Sequence, residues 1–223
     1  MNKNLLGISA KIGCGKDTFF EILQEKTSKS YENKKFAGKL KQISSILTGI
    51  PIDKFEDQEF KKTYLGKEWN KKEPNFNLGT LPDGSQIMQD VQMTVRKFLQ
   101  VLGTEAMRDT LHENVWVNSL FSDYNITDKY KLLPPNRIDL PEYQDLKFPK
   151  WCITDMRFPN EYDAIKEKGG VLIRINRPGV PFNEHPSETS LDNHKFDYVI
   201  ENDGTLQDFK LKIEDCLKHF NII

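Results

Sequence analysis

A glycine turn set between an apolar run and a helical pattern limits what this chain can become more than any other feature. From Lys3 to Ser9 a short stretch carrying Leu5, Leu6 and Ile8 leads into Gly13-Cys14-Gly15-Lys16, and residues with Phe19, Phe20 and Leu23 on one side follow. The order expected is strand, loop, helix. Successive backbone N–H groups in such a turn, next to the partial positive charge of a helix N-terminus, cradle polyphosphate, and a lysine there reaches the outer phosphates. The match to Gly-x4-Gly-Lys-[Ser/Thr] is imperfect, because Ala10 replaces the first glycine and Asp17 stands where a hydroxyl usually meets magnesium. The plainer reading is a turn that only joins strand to helix; the strand-loop-helix context favours phosphate.

The rest of the chain repeats the alternation. A strand end is expected at Lys34 to Ala37, then a helix over 39–48 with Leu40, Ile43, Ile46 and Leu47, stopped by Gly49 and Pro51. Residues 52–90 are charged and turn-rich, with a Pro82-Asp83-Gly84 turn between segments able to form a hairpin. Val95, Phe98, Leu99, Leu102 and Ala106 recur three and four apart, so one amphipathic helix is expected from Thr94 to Asp109, with Gly103 its weak point. The proline-rich segment after Phe121 lacks periodicity and reads as a surface connection. Trp151 to Thr154 reads as a buried strand, followed by a helix capped by Asn160 with Asp163 at its third position. Val171 to Ile175 and Phe196 to Ile200 read as two more strands, and Thr205 caps a last helix with the stripe Leu206, Phe209, Ile213, Leu217 and Phe220. Strands alternating with helices imply an α/β fold, a parallel sheet covered on both faces.

Composition narrows the partners. The 32 Lys and Arg residues balance 33 Asp and Glu, which leaves no net field for nucleic acid or an anionic membrane, so neither is expected as a partner. At 223 residues one domain with excursions is expected. Cys14, Cys152 and Cys216 are odd in number and widely spaced, and read as reduced thiols. No apolar run is long enough for a signal-peptide core or a membrane span, so a soluble, cytoplasmic protein is expected.

Asp155 follows a strand, where an open parallel sheet presents functional side chains, and Arg157 could fork onto phosphate oxygens or simply pair with Asp155. Arg96 and Lys97 face away from the apolar stripe of their helix and by themselves read as solvated.

At these residues the sequence resembles the phage-type deoxynucleoside monophosphate kinases, relatives of the adenylate-kinase group of P-loop kinases. The stretches that carry the resemblance are Gly15-Lys16-Asp17-Thr18, Phe36-Ala37, Arg96-Lys97-Phe98-Leu99-Gln100 through Thr104-Glu105, and Asp155-Met156-Arg157-Phe158-Pro159-Asn160-Glu161, with His185-Pro186-Ser187-Glu188 and Asn202-Asp203-Gly204-Thr205 completing the set. Segments 52–90 and 122–150 match only in position. The resemblance implies a three-layer P-loop fold over 1–223, an acceptor-binding insertion near 50–95, and connection or lid-like segments near 122–148 and 177–195. It makes Gly-Lys-Asp-Thr the family's own form of the loop. It implies that Gly13, Cys14, Gly15, Lys16, Asp17 and Thr18 serve ATP, with Asp17 meeting Mg²⁺ through water, and that Asn202 and Gly204 lie where relatives hold adenine. It further implies that Arg96, Lys97, Asp155, Arg157 and Glu161 build the acceptor and transfer site. Trp116 falls where the family has a tryptophan at the site, although a core role fits it as well. The roles of His185 and Glu188, in a polar segment after Arg174 and Arg177, stay open. Cys14, inside the loop, is expected to be alkylated, with bound ATP protecting it.

The implied reaction transfers the γ-phosphoryl group of ATP to a deoxynucleoside monophosphate, in the host cytoplasm if the gene is phage-borne. Two alternatives stand beside it: another small-molecule P-loop kinase, acting on dephospho-coenzyme A or a sugar acid, and a regulatory module that binds nucleotide without transfer. The bases accepted, the selection of deoxyribose and the choice between monomer and homodimer are not written in the sequence.

Overall fold

Along the chain run β1 (Asn2–Ala10), α1 (Lys16–Lys26), β2 (Glu32–Lys34), α2 (Phe36–Thr48), β3 (Lys71–Pro74), β4 (Met88–Val91), α3 (Val95–Gln100), a π-helix (Val101–Leu111), α4 (Val115–Phe121), β5 (Trp151–Ile153), α5 (Pro159–Glu167), β6 (Gly170–Asn176), β7 (Tyr198–Glu201) and α6 (Leu206–His219). This computed structural model describes residues 1–75, 77–124, 148–180 and 189–223. The chain divides into two units, one made of Met1–Gly38 with Trp116–Ile223 and the other of Lys39–Val115.

The first unit is built on a five-stranded sheet in the order β2-β5-β1-β6-β7, every pairing of which is parallel. Alternation along the strands decides which helices cover each face. Leu6 and Ile8 of β1, Cys152 of β5, and Val171, Ile173 and Ile175 of β6 share one core with Phe19, Ile22 and Leu23 of α1 and Phe209, Ile213 and Leu217 of α6. Their neighbours Leu5, Trp151, Ile153 and Leu172 face the other way, into a second core with Val117 and Leu120 of α4 and Tyr162 and Ile165 of α5. Helices therefore lie on both faces of the sheet. From β1 the chain turns toward the β2 side, whereas from β6 it turns toward β7, so the switch in connection direction falls between β1 and β6. Open α/β sheets bind ligands at the carboxyl ends of strands beside such a switch.

In the second unit β3 and β4 pair antiparallel, from Lys71 opposite Val91 to Pro74 opposite Met88. A tight turn lies between them: Gly84 N–H donates to the Leu81 carbonyl at 2.8 Å, and the Asp83 carboxylate accepts from Ser85 N–H at 2.9 Å. Among the described residues of this unit, Phe55, Met93, Val95 and Phe98 are buried and apolar, with Trp69 edge-on to Phe98 at 5.0 Å.

Several boundaries differ from the sequence expectation for local reasons. Phe36, expected in a strand, begins α2, because both oxygens of Asp155 accept N–H groups there, from Phe36 at 2.8 Å and Ala37 at 3.1 Å. The helix expected from Asn160 starts at Pro159, with Phe158 as N-cap; proline has no N–H to satisfy, and the Glu161 carboxylate takes the Phe158 N–H at 3.1 Å. The single helix expected over 94–109 is α-helical only to Gln100 and then winds as a π-helix, ending in an i→i−5 bond from His112 N–H to the Met107 carbonyl at 3.0 Å. That change of pitch turns Ala106, expected on the apolar stripe, out to solvent. Leu206, expected on the stripe of the last helix, is 61% exposed. Of the two lid-like stretches, 125–147 and 181–188 lie outside the described residues, His185 and Glu188 among them. None of the described helices is long and apolar enough to cross a membrane.

A Cβ on Gly7, in the middle of β1, would lie 2.7 Å from Ile165 Cδ1, 3.2 Å from Met156 Sδ and 3.3 Å from Leu172 Cδ2. We expect Gly7→Ala to destabilise the fold by about 1–3 kcal/mol through overpacking. Urea unfolding of variant and wild type measures it, and an unchanged midpoint would contradict the packing described here.

Candidate functional site

The loop after β1 is held in shape by glycine conformations and by the residues beneath it. Gly13 has φ +82° and Gly15 φ +106°, values that L side chains avoid. Space forbids a side chain at Gly15 as well, since a Cβ would lie 2.7 Å from the Phe209 ring and 3.2 Å from Asn202 Nδ2. Cys14 between them is 2% exposed, its side chain set into the core shared by α1 and α6. One buried anchor thus stands between two left-handed glycines.

The carbonyls of the loop are directed by outside donors. Asn202 Nδ2 donates to the Cys14 carbonyl at 3.0 Å, and Arg177 Nη1 to the Gly13 carbonyl at 3.2 Å. A trans peptide points its N–H opposite to its C=O, so fixing the Cys14 carbonyl sends the Gly15 N–H the other way. Among the described residues no side chain caps α1, whose N-cap is Gly15, although α6 is capped by Thr205 with Asp208 and α3 by Thr94. The first N–H groups of a helix have no carbonyl partner in it and carry partial positive charge. Such a helix end can serve as a socket for an anion.

Lys16 and Asp17 sit on the first turn of α1 with Nζ and Oδ2 3.9 Å apart, the Asp17 side chain 73% exposed and that of Lys16 22%. Asn202 joins the loop through its side chain and β6 through its backbone, its N–H donating to the Asn176 carbonyl at 2.8 Å. Gly204 lies against α6, where a Cβ would meet the Asp208 carboxylate at 2.8 Å. The structure thereby brings together Gly13, Cys14, Gly15, Lys16, Asp17, Thr18 and Asn202, which are remote in sequence at one end.

A second group gathers after β5. Burial raises the pKa of Asp155 above the ordinary carboxylate value, while the N–H groups of Ala37 and Phe36 and the charges of Arg157 and Lys35 act against that rise. Its first role is therefore visible: it ties the end of β5 to the start of α2. Glu161 is buried and accepts the N–H of Arg157 at 2.7 Å and of Phe158 at 3.1 Å. A buried carboxylate that receives two backbone donors fixes the loop that carries them, and here that loop carries Arg157. Trp116, on α4, is buried with 6% exposure.

Arg96 and Lys97 belong to the second unit, on α3. Arg96 Nη2 donates to Gln58 Oε1 at 3.1 Å, and Lys97 Nζ lies 3.7 Å from Glu105 Oε1. Thr94 Oγ1 accepts the Lys97 N–H at 3.2 Å and so fixes the turn on which both cations stand.

Sequence reasoning missed a third group. A cavity of about 420 Å³ opens beside the loop at the carboxyl ends of β1 and β6, with Lys11, Arg174, Arg177, Asp192, His194 and Phe196 in its wall. The signal was Arg174 itself, a charged residue inside the apolar strand Val171-Leu172-Ile173-Arg174-Ile175, since arginine is rarely buried without a partner.

The comparisons with known proteins agree in direction. The family profile described as deoxynucleotide monophosphate kinase matches residues 70–213. A putative deoxynucleotide monophosphate kinase of Acanthamoeba polyphaga mimivirus is 37% identical over 137 residues, 56% of this chain and 61% of that protein. The deoxynucleotide monophosphate kinase of Enterobacteria phage T4 is 30% identical over 128 residues, 57% of this chain and 46% of that protein. The matched stretches thus span about half to three-fifths of those relatives' own lengths. Deoxynucleoside-5'-monophosphate kinase of Escherichia phage T5 is 22% identical over 243 aligned residues, covering 84% of each chain.

Burial corrects one expectation about chemistry: Cys14, like Cys152 and Cys216, is a buried free thiol, so its place in the loop does not make it reactive. Desolvation also pushes the Cys216 thiol up to about 12. We expect all three thiols to resist Ellman's reagent in the native protein and to react fully in denaturant. Fast native labelling of Cys14, located by peptide mapping, would contradict this placement.

Proposed function

The chain belongs to the deoxynucleotide monophosphate kinase family, and on that footing we propose that it transfers the γ-phosphoryl group of ATP to a deoxynucleoside 5'-monophosphate, giving ADP and the diphosphate. The observation that carries the proposal is the uncapped, glycine-bounded N-terminus of α1, with Lys16 on its first turn. Such a socket suits the β- and γ-phosphates of a nucleoside triphosphate.

Phosphoryl transfer asks little covalent chemistry of the protein; the barrier falls through alignment and charge neutralisation. In this reading the Gly13–Thr18 segment binds the donor phosphates, and Lys16 offsets charge on the group in transit. Asn202 holds the loop, and with Gly204 borders the donor base. Arg157 orients phosphate oxygens, held in place by Glu161 beneath its backbone. Asp155 sets the start of α2 and keeps its carboxylate near Arg157. Arg96, Lys97 and Trp116 serve the acceptor, with the binding insertion near 50–95. The acceptor phosphate is already ionised near neutral pH, so no general base is required.

The donor set also fits magnesium. Asp17 offers an exposed hard oxygen ligand beside the socket, which suits a cation that keeps several waters and takes its other ligands from substrate phosphates. Bound there, Mg²⁺ would supply charge neutralisation across the donor's outer phosphates. The reaction draws on cytoplasmic nucleotides, those of the host cell if the gene is phage-borne.

A coupled ADP-release assay with Mg-ATP tests the reading, run against ribo- and deoxynucleoside monophosphates with dephospho-coenzyme A and sugar acids as further acceptors. Release with a deoxynucleoside monophosphate is expected; nucleotide binding with a blank panel would overturn the proposal. Lys16→Ala is expected to lose nearly all turnover with every acceptor while staying folded, because the neutralising charge is gone; wild-type rates would refute the donor site. For Arg157→Ala the expected loss of turnover is roughly a thousandfold, by analogy with arginines that stabilise phosphoryl transfer. Arg157→Lys should recover little of it, since an ammonium cannot make the two parallel bonds of a guanidinium. Melting temperature and single-turnover rate on the same variants separate catalysis from bracing: lower stability with intact transfer would make Arg157 a brace.

A further inference from the structure

Buried charge lies under the phosphate loop, and its connections reach both ends of that loop. Arg174 rises from β6 on the face opposite α1, its side chain only 10% exposed. Its guanidinium donates in three directions: to Ser9 Oγ on β1 at 2.8 Å, to Asn176 Oδ1 at 3.2 Å and to Asp192 Oδ1 at 2.5 Å. The second oxygen of Asp192 lies 3.2 Å from Nζ of Lys11, the residue that follows β1 and opens the loop. One carboxylate thus spans two cations, one rooted in the sheet and one on the loop.

The other arm starts at Asn176. Its Nδ2 donates to Glu201 Oε1 at 2.8 Å, its carbonyl accepts the Asn202 N–H at 2.8 Å, and Asn202 Nδ2 reaches the Cys14 carbonyl at 3.0 Å. The two arms close a ring: Lys11, Asp192, Arg174, Asn176, Asn202, Cys14. Both ends of the four-residue stretch from Lys11 to Cys14 are therefore referred to one rigid strand, at the place where the sheet changes direction. An ion pair as exposed as Lys11 with Asp192, 27% and 34%, contributes little to folding stability, so its effect lies in where it holds the loop. A planar guanidinium with three fixed partners is suited to that task, as a lysine in its place would not be.

We propose that Asp192 and Arg174 are positioning residues for the nucleotide donor: acting through Lys11 and the loop, they set donor affinity. The inference rests on the nucleotide reading above, and its test separates the two. Binding of non-hydrolysable Mg-ATP analogue is measured by calorimetry on folded protein, beside melting temperature and the acceptor KM. For Asp192→Asn the dissociation constant is expected to rise roughly tenfold, with acceptor KM within about twofold of wild type. Asp192→Glu should recover most of the affinity, and Arg174→Lys should weaken it as Asp192→Asn does. Lys11→Met, at the other end of the same ion pair, gives the same reading should the Asp192 variant fold poorly, and the double variant should bind no worse than the weaker single one, because both changes cut one connection. Unchanged affinity in Asp192→Asn with lower thermal stability would overturn the proposal, as would additive losses in the double variant. Wild-type protein that fails to bind the analogue would overturn the nucleotide reading itself.

Discussion

The bond from the Asn202 side chain to the Cys14 carbonyl fixes one peptide plane, and the rest of the site follows from that plane. Without it the Gly15 N–H has no assigned direction, and a run of glycines in left-handed conformations would cost conformational entropy for no return. With it, the loop presents donors at the start of α1, while the Cys14 side chain is sunk among residues of α1, α6 and the sheet. The same contact dictates what lies on the far side: Phe209 of α6 packs where a Cβ of residue 15 would stand. The last helix of the chain thus constrains its first loop, which is why a domain boundary between them would be hard to place.

Two carboxylates do comparable work after β5, and neither is held by a cation alone. Asp155 receives the first N–H groups of α2, and Glu161 receives the successive N–H groups of Arg157 and Phe158. Carboxylates taken from water need such donors, or they would protonate or unfold their surroundings. Each also tethers a strand end to a helix start. The loop between them, Met156 to Asn160, is therefore set at both ends, and any chemistry Arg157 performs begins from a fixed backbone.

Much of this was legible in the sequence, and the illegible part has physical causes. The near-continuous apolar run from Val171 to Ile175 and the helical stripe of Phe209, Ile213 and Leu217 identify sheet and helix because burial enforces them locally. Gly13 and Gly15 marked the turn before α1 because the backbone conformation there needs glycine. The start of α2 was misread, since the group that initiates it, Asp155, is far away in sequence. The π winding after Gln100 was hidden because its residues also satisfy an α-helical stripe; the close approach of Gly103 to Leu40, whose Cδ2 would lie 2.8 Å from an added Cβ, appears only in three dimensions. Asp192 gave no local signal at all. Its partners, Lys11 and Arg174, are distant in the chain, and only the parallel pairing of β1 with β6 brings them within its reach.

The two margins of the sheet are short. At one, β2 is the three-residue stretch Glu32-Asn33-Lys34, with Lys34 paired to Glu32 at 2.8 Å and lying over the Trp151 ring at 4.8 Å; at the other, β7 has four residues ending in Glu201. A long apolar margin would offer its open backbone to any neighbouring chain, and parallel sheets, slow to assemble, expose their margins for longer. A charged three-residue margin gives an intruding strand little to align with. The sheet thereby resists growing by addition of foreign strands during the crowded interval in which newly made copies of the protein are still folding.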